Sequence, residues 1–281
     1  MQKKEEEINA VSKISFDIPE NIREYLRIED CSNFDVSKYF KTKEQAQIIN
    51  EITIKRNTAA EMLEMGVPLL NSTLLYGPTG TGKTTMCRYI AHKHKLPFAY
   101  INFASLIEGG VFGKTALNLT RIFESLLDKE CVFTLDEIDC IAVNRDRNEA
   151  QANGGELKRI TITLMQLMDL FEQQRVQSII IGCTNRVEDL DPALRSRFKL
   201  KKQIGLLTID EKKSYIQKYL KNVNTPYTID YDVNNITEYC LRGSMLGMRD
   251  MEADIKAALA RWIENGHEGF DLIRIRDDDL A

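Results

Sequence analysis

The stretch Gly77-Pro78-Thr79-Gly80-Thr81-Gly82-Lys83-Thr84 constrains this chain more than any other. It follows a short apolar run, Leu74-Leu75-Tyr76, and precedes a segment of helical character, Thr85 to His92. Strand, glycine loop and helix in that order form the context a phosphate-binding loop requires. Glycines let the backbone bend so that successive N–H groups face an anion, and the start of the helix adds partial positive charge. Lys83 is long enough to reach the outer phosphates of a nucleotide. The hydroxyl of Thr84 is placed to hold Mg2+, and Thr85 continues the loop into the helix.

Alternation of strand and helix surrounds this loop. Strand-like runs recur at 73–76, 98–102, 131–135, 178–182 and 200–204, with helical patterns between them, as at 117–128 and 156–173. Such alternation predicts a parallel five-stranded sheet covered on both faces, an α/β fold of three layers. Upstream, 42–64 has helical periodicity and is ended by Gly66 and Pro68. Residues 1–40 read as polar and irregular, with a few apolar anchors. After Gly205 the strand pattern stops. Thr208 and Glu211 form a capping box for a helix through Leu220. A last helix runs from about Asp250 to Glu264, with Met251, Ile255, Ala258, Leu259 and Trp262 as its apolar stripe. The chain therefore divides into an N-terminal segment and linker helix (1–68), a nucleotide-binding α/β domain (69–205) and a C-terminal helical lid (206–281). The acidic end, Asp277-Asp278-Asp279, reads as a solvated tail.

Composition narrows the class. A hydrophobic fraction of 43% and a charged fraction of 28% are ordinary for a globular protein. No apolar run reaches membrane-spanning length, and the first residues lack the apolar core of a signal peptide. Six cysteines without a Cys-x-x-Cys pair read as buried free thiols in a reducing compartment. A cytoplasmic protein is expected. The net charge of −4 disfavours non-specific nucleic-acid binding.

Three further blocks carry chemistry. In Cys131-Val-Phe-Thr-Leu135-Asp136-Glu137, an apolar strand delivers two acids to its carboxyl end, where ligands bind in open α/β sheets. Asp136 can hold Mg2+, and Glu137 can act as general base on an attacking water. In Ile179-Ile-Ile-Gly-Cys-Thr184-Asn185, a second apolar strand ends in a neutral residue that could orient that water or touch a phosphate. In Asp191-Pro-Ala-Leu-Arg195-Ser-Arg197-Phe198, two arginines follow a short helical stretch. Either could stabilise the charge of phosphoryl transfer in a neighbouring subunit.

In this order the four blocks resemble the AAA family of the AAA+ ATPases, over roughly residues 65–262. The resemblance implies that Gly77–Thr84 is Walker A, Asp136 and Glu137 are Walker B, and Asn185 is sensor 1. Arg195 and Arg197 then occupy the arginine-finger region. The family spaces its two arginines around Pro-Gly, whereas here Ser196 alone separates them. Arg197 is favoured as the finger, with Arg195 as its neighbour. Gly243-x-x-x-Gly247-Met-Arg249 is similar to the sensor 2 turn, so Arg249 would contact phosphates from the lid; the other reading is a surface arginine at a helix start. Asn102 could restrain Glu137 or serve as a cap. In Gly109-Gly-Val-Phe112-Gly-Lys114, Phe112 aligns with an unfoldase pore loop, or else packs against the domain surface. Arg145 and Arg147 would belong to a second pore loop.

The resemblance further implies ATP and Mg2+ as ligands and a homo-oligomeric ring, hexameric, with sites shared between subunits. Remodelling, unfolding or disassembly of protein substrates is the expected function. Two alternatives stand beside it. One is a DNA-directed loader or clamp-loader-like switch, suggested by Ser196-Arg197-Phe198 and Arg249. The other is a non-motor switch that binds ATP in order to assemble.

Overall fold

The computed structural model describes residues 18–67, 70–108, 114–141, 154–173 and 177–273. Phe112, Arg145, Arg147 and the acidic end lie outside the described residues.

The chain lays down strand β1 (Leu26–Glu29), helix α1 (Lys43–Glu64), β2 (Asn71–Tyr76), α2 (Lys83–His94), β3 (Phe98–Asn102), α3 (Phe103–Glu108) and α4 (Thr115–Leu126). It continues with β4 (Val132–Asp136), α5 (Gly154–Gln173), β5 (Ile179–Thr184), α6 (Pro192–Arg197) and β6 (Leu200–Gln203). Three helices close it: α7 (Ile209–Lys221), α8 (Val233–Arg242) and α9 (Met248–Glu264).

The sheet runs in the order β1-β3-β4-β5-β2-β6. Strands β2 to β6 are parallel to their neighbours, as the alternating pattern predicts. A sixth strand, β1, adds to the edge and runs antiparallel to β3, Leu26 opposite Ile101. It arises from the segment read as irregular. Four residues of alternating character, Leu-Arg-Ile-Glu, are too short a signal to separate from a loop.

Side chains alternate between the two faces of the sheet, as the pleat requires. Leu75, Val132, Ile179 and Ile181 pack with Ile48, Ile52, Met86 and Ile90 of α1 and α2. Leu74, Phe133, Leu135 and Ile180 pack on the other face with Leu119, Phe123, Leu164 and Phe171 of α4 and α5. Burial on both faces explains why the strands read as continuous apolar runs. Thr42 caps α1 by accepting from the Gln45 N–H, and Gly66 leaves it with φ +75°.

Helices α7 to α9 share a separate core of Tyr215, Ile216, Ile236, Tyr239, Met251, Ile255 and Trp262. The capping box between Thr208 and Glu211 is formed. Helix α8 joins this bundle unannounced by the sequence reading, and its buried Tyr239 hydroxyl donates to Asp254 Oδ2 at 2.6 Å. The chain preceding α1 spans both regions. Tyr39 stacks on Tyr89 of α2 with ring centroids 4.5 Å apart. Phe40 meets Tyr215 of α7 edge-on, and Lys218 of α7 donates to the Tyr39 carbonyl at 2.7 Å.

Candidate active site

Strand register sets the site. Asn102 pairs with Asp136 across β3 and β4, and Tyr76 with Thr184 across β2 and β5. The carboxyl ends of these strands therefore form one row. Strand β5 lies between the glycine-loop strand and the acidic strand, so Asn185 emerges between Lys83 and Glu137.

The loop from Gly77 to Gly82 leaves β2 and opens α2. Gly77 has φ +141°, and a Cβ there would sit 2.1 Å from the Ile204 carbonyl oxygen. Gly82 has φ +83°, and its missing Cβ leaves room for the Met248 methyl. Both positions therefore demand glycine. Lys83 is buried yet, among the described residues, faces no carboxylate within hydrogen-bond reach. Its Nζ donates to the carbonyls of Gly77 (2.8 Å) and Pro78 (2.9 Å) and to Asn185 Oδ1 (2.7 Å). Burial lowers its pKa, while Asp136 and Asp139 oppose that shift. A cation held on neutral oxygens at the rim of a cleft is suited to an incoming polyanion.

Across the cleft, Thr84 Oγ1 donates to Asp136 Oδ2 at 2.8 Å. A hydroxyl beside a carboxylate is a hard-oxygen pair of the kind Mg2+ takes. Glu137 follows with φ +55°, a left-handed backbone rarely adopted by glutamate. This bend sends its carboxylate back to Asn102, whose Nδ2 donates to Oε2 at 2.9 Å. Of the two readings of Asn102, the structure has the contact that restraint needs. Thr184 Oγ1 donates to Asp139 Oδ1 at 2.9 Å, which steadies the β5 end.

The lid completes the cleft. Gly247 packs against Thr79 and Gly80, and the Arg249 N–H reaches the Gly80 carbonyl at 3.4 Å. The space enclosed is about 290 Å3, lined by Thr79–Thr85, Asp136, Glu137, Asn185 and Arg249. Lys38, Tyr39, Phe40, Tyr215 and Glu252 line its other side. Those residues escaped the sequence reading because they come from the irregular segment and a lid helix.

With this geometry in place, comparison with known proteins is direct. Residues 73–206 match the family described as "ATPase family associated with various cellular activities (AAA)". The chain carries an AAA domain over these residues.

Two relatives give the scale of the likeness. Protein SAV of Sulfolobus acidocaldarius is 31% identical over 228 residues, covering 79% of this chain and 28% of that protein. The human ATPase family gene 2 protein homolog A is 33% identical over 165 residues, covering 56% of this chain and 18% of that protein. This chain thus spans less than a third of either relative. An AAA domain implies nucleotide binding. No helix among the described residues is long and apolar enough to cross a membrane.

The structure treats Arg195 and Arg197 differently. Arg197 is tied to its own chain: Nε and Nη2 hold Asp169 at 3.3 and 3.1 Å, and Nη1 donates to the Ala193 carbonyl. The half-buried Arg195 side chain makes no hydrogen bond or ion pair among the described residues.

Proposed function

We propose that this chain hydrolyses ATP at the interfaces of a homo-oligomeric, hexameric ring and uses the cycle to remodel, unfold or disassemble protein substrates. The observation that carries the reading is the convergence of Lys83, Thr84, Asp136, Glu137 and Asn185 on one cleft roofed by Arg249. A phosphate-binding loop, a metal-holding pair and a restrained base in one site are what hydrolysis needs and mere binding does not. The division at residues 68 and 205 goes with it, the first part leading to the α/β domain and the last forming the lid. A cytoplasmic location is consistent with the free thiols.

The roles follow from position. Gly77 to Thr85 cradle the phosphates with backbone N–H groups, and Lys83 turns from its carbonyls to the outer phosphates. Thr84 and Asp136 would hold Mg2+, which would neutralise charge on the phosphates. Glu137, released by Asn102, accepts a proton from water that Asn185 helps to orient. Arg249 reaches the phosphates from the lid. Lys38 to Phe40 and Tyr215 supply an aromatic-lined wall suited to a base. Its side chain, without a hydrogen-bond or ion-pair partner among the described residues, makes Arg195 our candidate for the finger, although sequence alone favours Arg197. Arg197 reaches a neighbour only by releasing Asp169. Phe112 is kept as the substrate-gripping aromatic.

The test is turnover measured against protein concentration, with an unfolded protein or single-stranded DNA added. The proposal expects a rate that rises with concentration and with unfolded protein. Stimulation by DNA alone would favour the loader alternative. Turnover near zero in the assembled state would favour the assembly switch. Glu137→Gln should keep nucleotide binding and lower turnover by about 100- to 10,000-fold; normal turnover would remove Glu137 as the base.

A further inference from the structure

Tyr100 lies on β3, two residues before Asn102 and so on the same face of the strand. Its hydroxyl donates to Asp136 Oδ2 at 3.3 Å and accepts from Asn102 Nδ2 at 3.4 Å. The same Asn102 Nδ2 donates its other hydrogen to Glu137 Oε2 at 2.9 Å. The same Asp136 Oδ2 also accepts from Thr84 Oγ1 at 2.8 Å, while Oδ1 accepts from the Glu137 N–H at 3.0 Å. One phenol therefore stands between the carboxylate of the metal site and the amide that restrains the base. The hydroxyl donates to one carboxylate and accepts from one amide, so both of its hydrogen-bonding roles are engaged.

An amide that can rotate freely is a poor restraint. Two acceptors, Glu137 and the Tyr100 oxygen, engage both hydrogens of the Asn102 amide and fix its orientation. Because the phenol also donates to Asp136, a shift of that carboxylate is felt at Asn102 through a single hydroxyl. The two contacts of the phenol are longer than the Thr84–Asp136 and Asn102–Glu137 bonds that flank it. They are the links of the chain that break first.

We propose that Tyr100 is a positioning residue that couples the Asp136 carboxylate to the Asn102 restraint on Glu137. It acts through those residues and touches no reacting atom. The inference rests on the hydrolytic reading of the site, and the experiment separates the two.

The test uses the full chain in four forms: unaltered, Tyr100→Phe, Asn102→Ala and the double variant, each checked for an unchanged melting temperature. With the restraint loosened, Tyr100→Phe should raise unstimulated kcat about three- to tenfold, with KM for ATP changed less than twofold. In the Asn102→Ala background the same change should do nothing further, because its route is gone. A second readout needs no turnover. The Mg2+ concentration giving half-maximal binding of a fluorescent ATP analogue should rise at least twofold in Tyr100→Phe. An equal change of kcat in both backgrounds, or none in either, overturns the coupling. If the unaltered chain has no turnover, the hydrolytic reading fails by itself. The Mg2+ shift then decides for Tyr100, and its absence overturns the proposal.

Discussion

Two buried lysines, one in each region of this molecule, make hydrogen bonds to backbone carbonyls with no carboxylate partner among the described residues. Lys83 in the α/β domain binds the carbonyls of Gly77 and Pro78, with Asn185 Oδ1 as a third acceptor. Lys212 in the lid binds those of Gly243 and Ser244 at 2.6 and 2.7 Å. The two carbonyls at Lys212 close the end of α8, where the helix dipole favours a cation. Lys83 instead sits at the rim of an open cleft, with Asp136 and Asp139 near enough to influence its charge. Similar bonds therefore serve different ends. A buried cation with its acceptors complete and no cleft beside it is architecture; one whose acceptors line a cleft is held in reserve for a ligand.

The sharpest way to break this contrast is to remove each ammonium in turn. Lys83→Met should weaken binding of a fluorescent ATP analogue by about 100-fold, since hydrogen bonds to charged groups are the strong ones. Its melting temperature should stay within about 2 °C of the unaltered chain. Lys212→Met should do the reverse, lowering stability by about 2–4 kcal/mol as two buried carbonyls lose their donor. Denaturant melts read that loss. A fall in turnover larger than the fall in stability would put Lys212 in the chemistry and end the distinction.

A milder test changes pH and leaves every atom in place. Burial lowers the Lys83 pKa, so its positive charge is present below that depressed value and lost as pH rises through it. Nucleotide affinity should therefore decline on the alkaline side before the ordinary lysine value of 10.5 is reached, as followed by titration with the fluorescent analogue.

The smallest effect concerns the far end of α2. His94 has its pKa lowered to about 4, first by burial and then by Arg56 and Lys93. Its folded pKa lies below the unfolded value of 6.5, so the unfolded chain takes up the proton first on acidification. Stability contributed there is present above pH 6.5 and is lost as pH falls toward 4. Partial exposure reduces the effect to about 1 kcal/mol. His94→Gln should flatten that part of the stability–pH curve, measured by urea melts.

The two regions were also unequally legible. The parallel strands could be read because burial on both faces leaves continuous apolar runs, and the glycine loop because its backbone admits few substitutes. Gly77 shows why, with the Ile204 carbonyl occupying the place of a side chain. Asn102 could be found because strand ends meet ligands in such sheets. Tyr100 was equally within reach, being two residues earlier on the same face, but an aromatic in a strand reads first as core. The lid offered less. Helix α8 buries only Ile236, Tyr239 and Cys240 and starts from Asp232 without an apolar run. The wall formed by Lys38 to Phe40 had no signal of its own, because its place is set by Tyr89 and Tyr215 from distant parts of the chain.

That wall has a mechanical consequence. Lys218 of α7 and Asn222, which caps that helix, grip the carbonyls of Tyr39 and Ser37, while the ring of Tyr39 lies flat on Tyr89 of the helix that begins at Lys83. The segment works as a tendon between two bones. A swing of the lid either tears these attachments or carries them along, and the pull then lands on the helix bearing the phosphate loop. A displacement at either end of this tendon would reach the other along the wall of the cleft, through Tyr39.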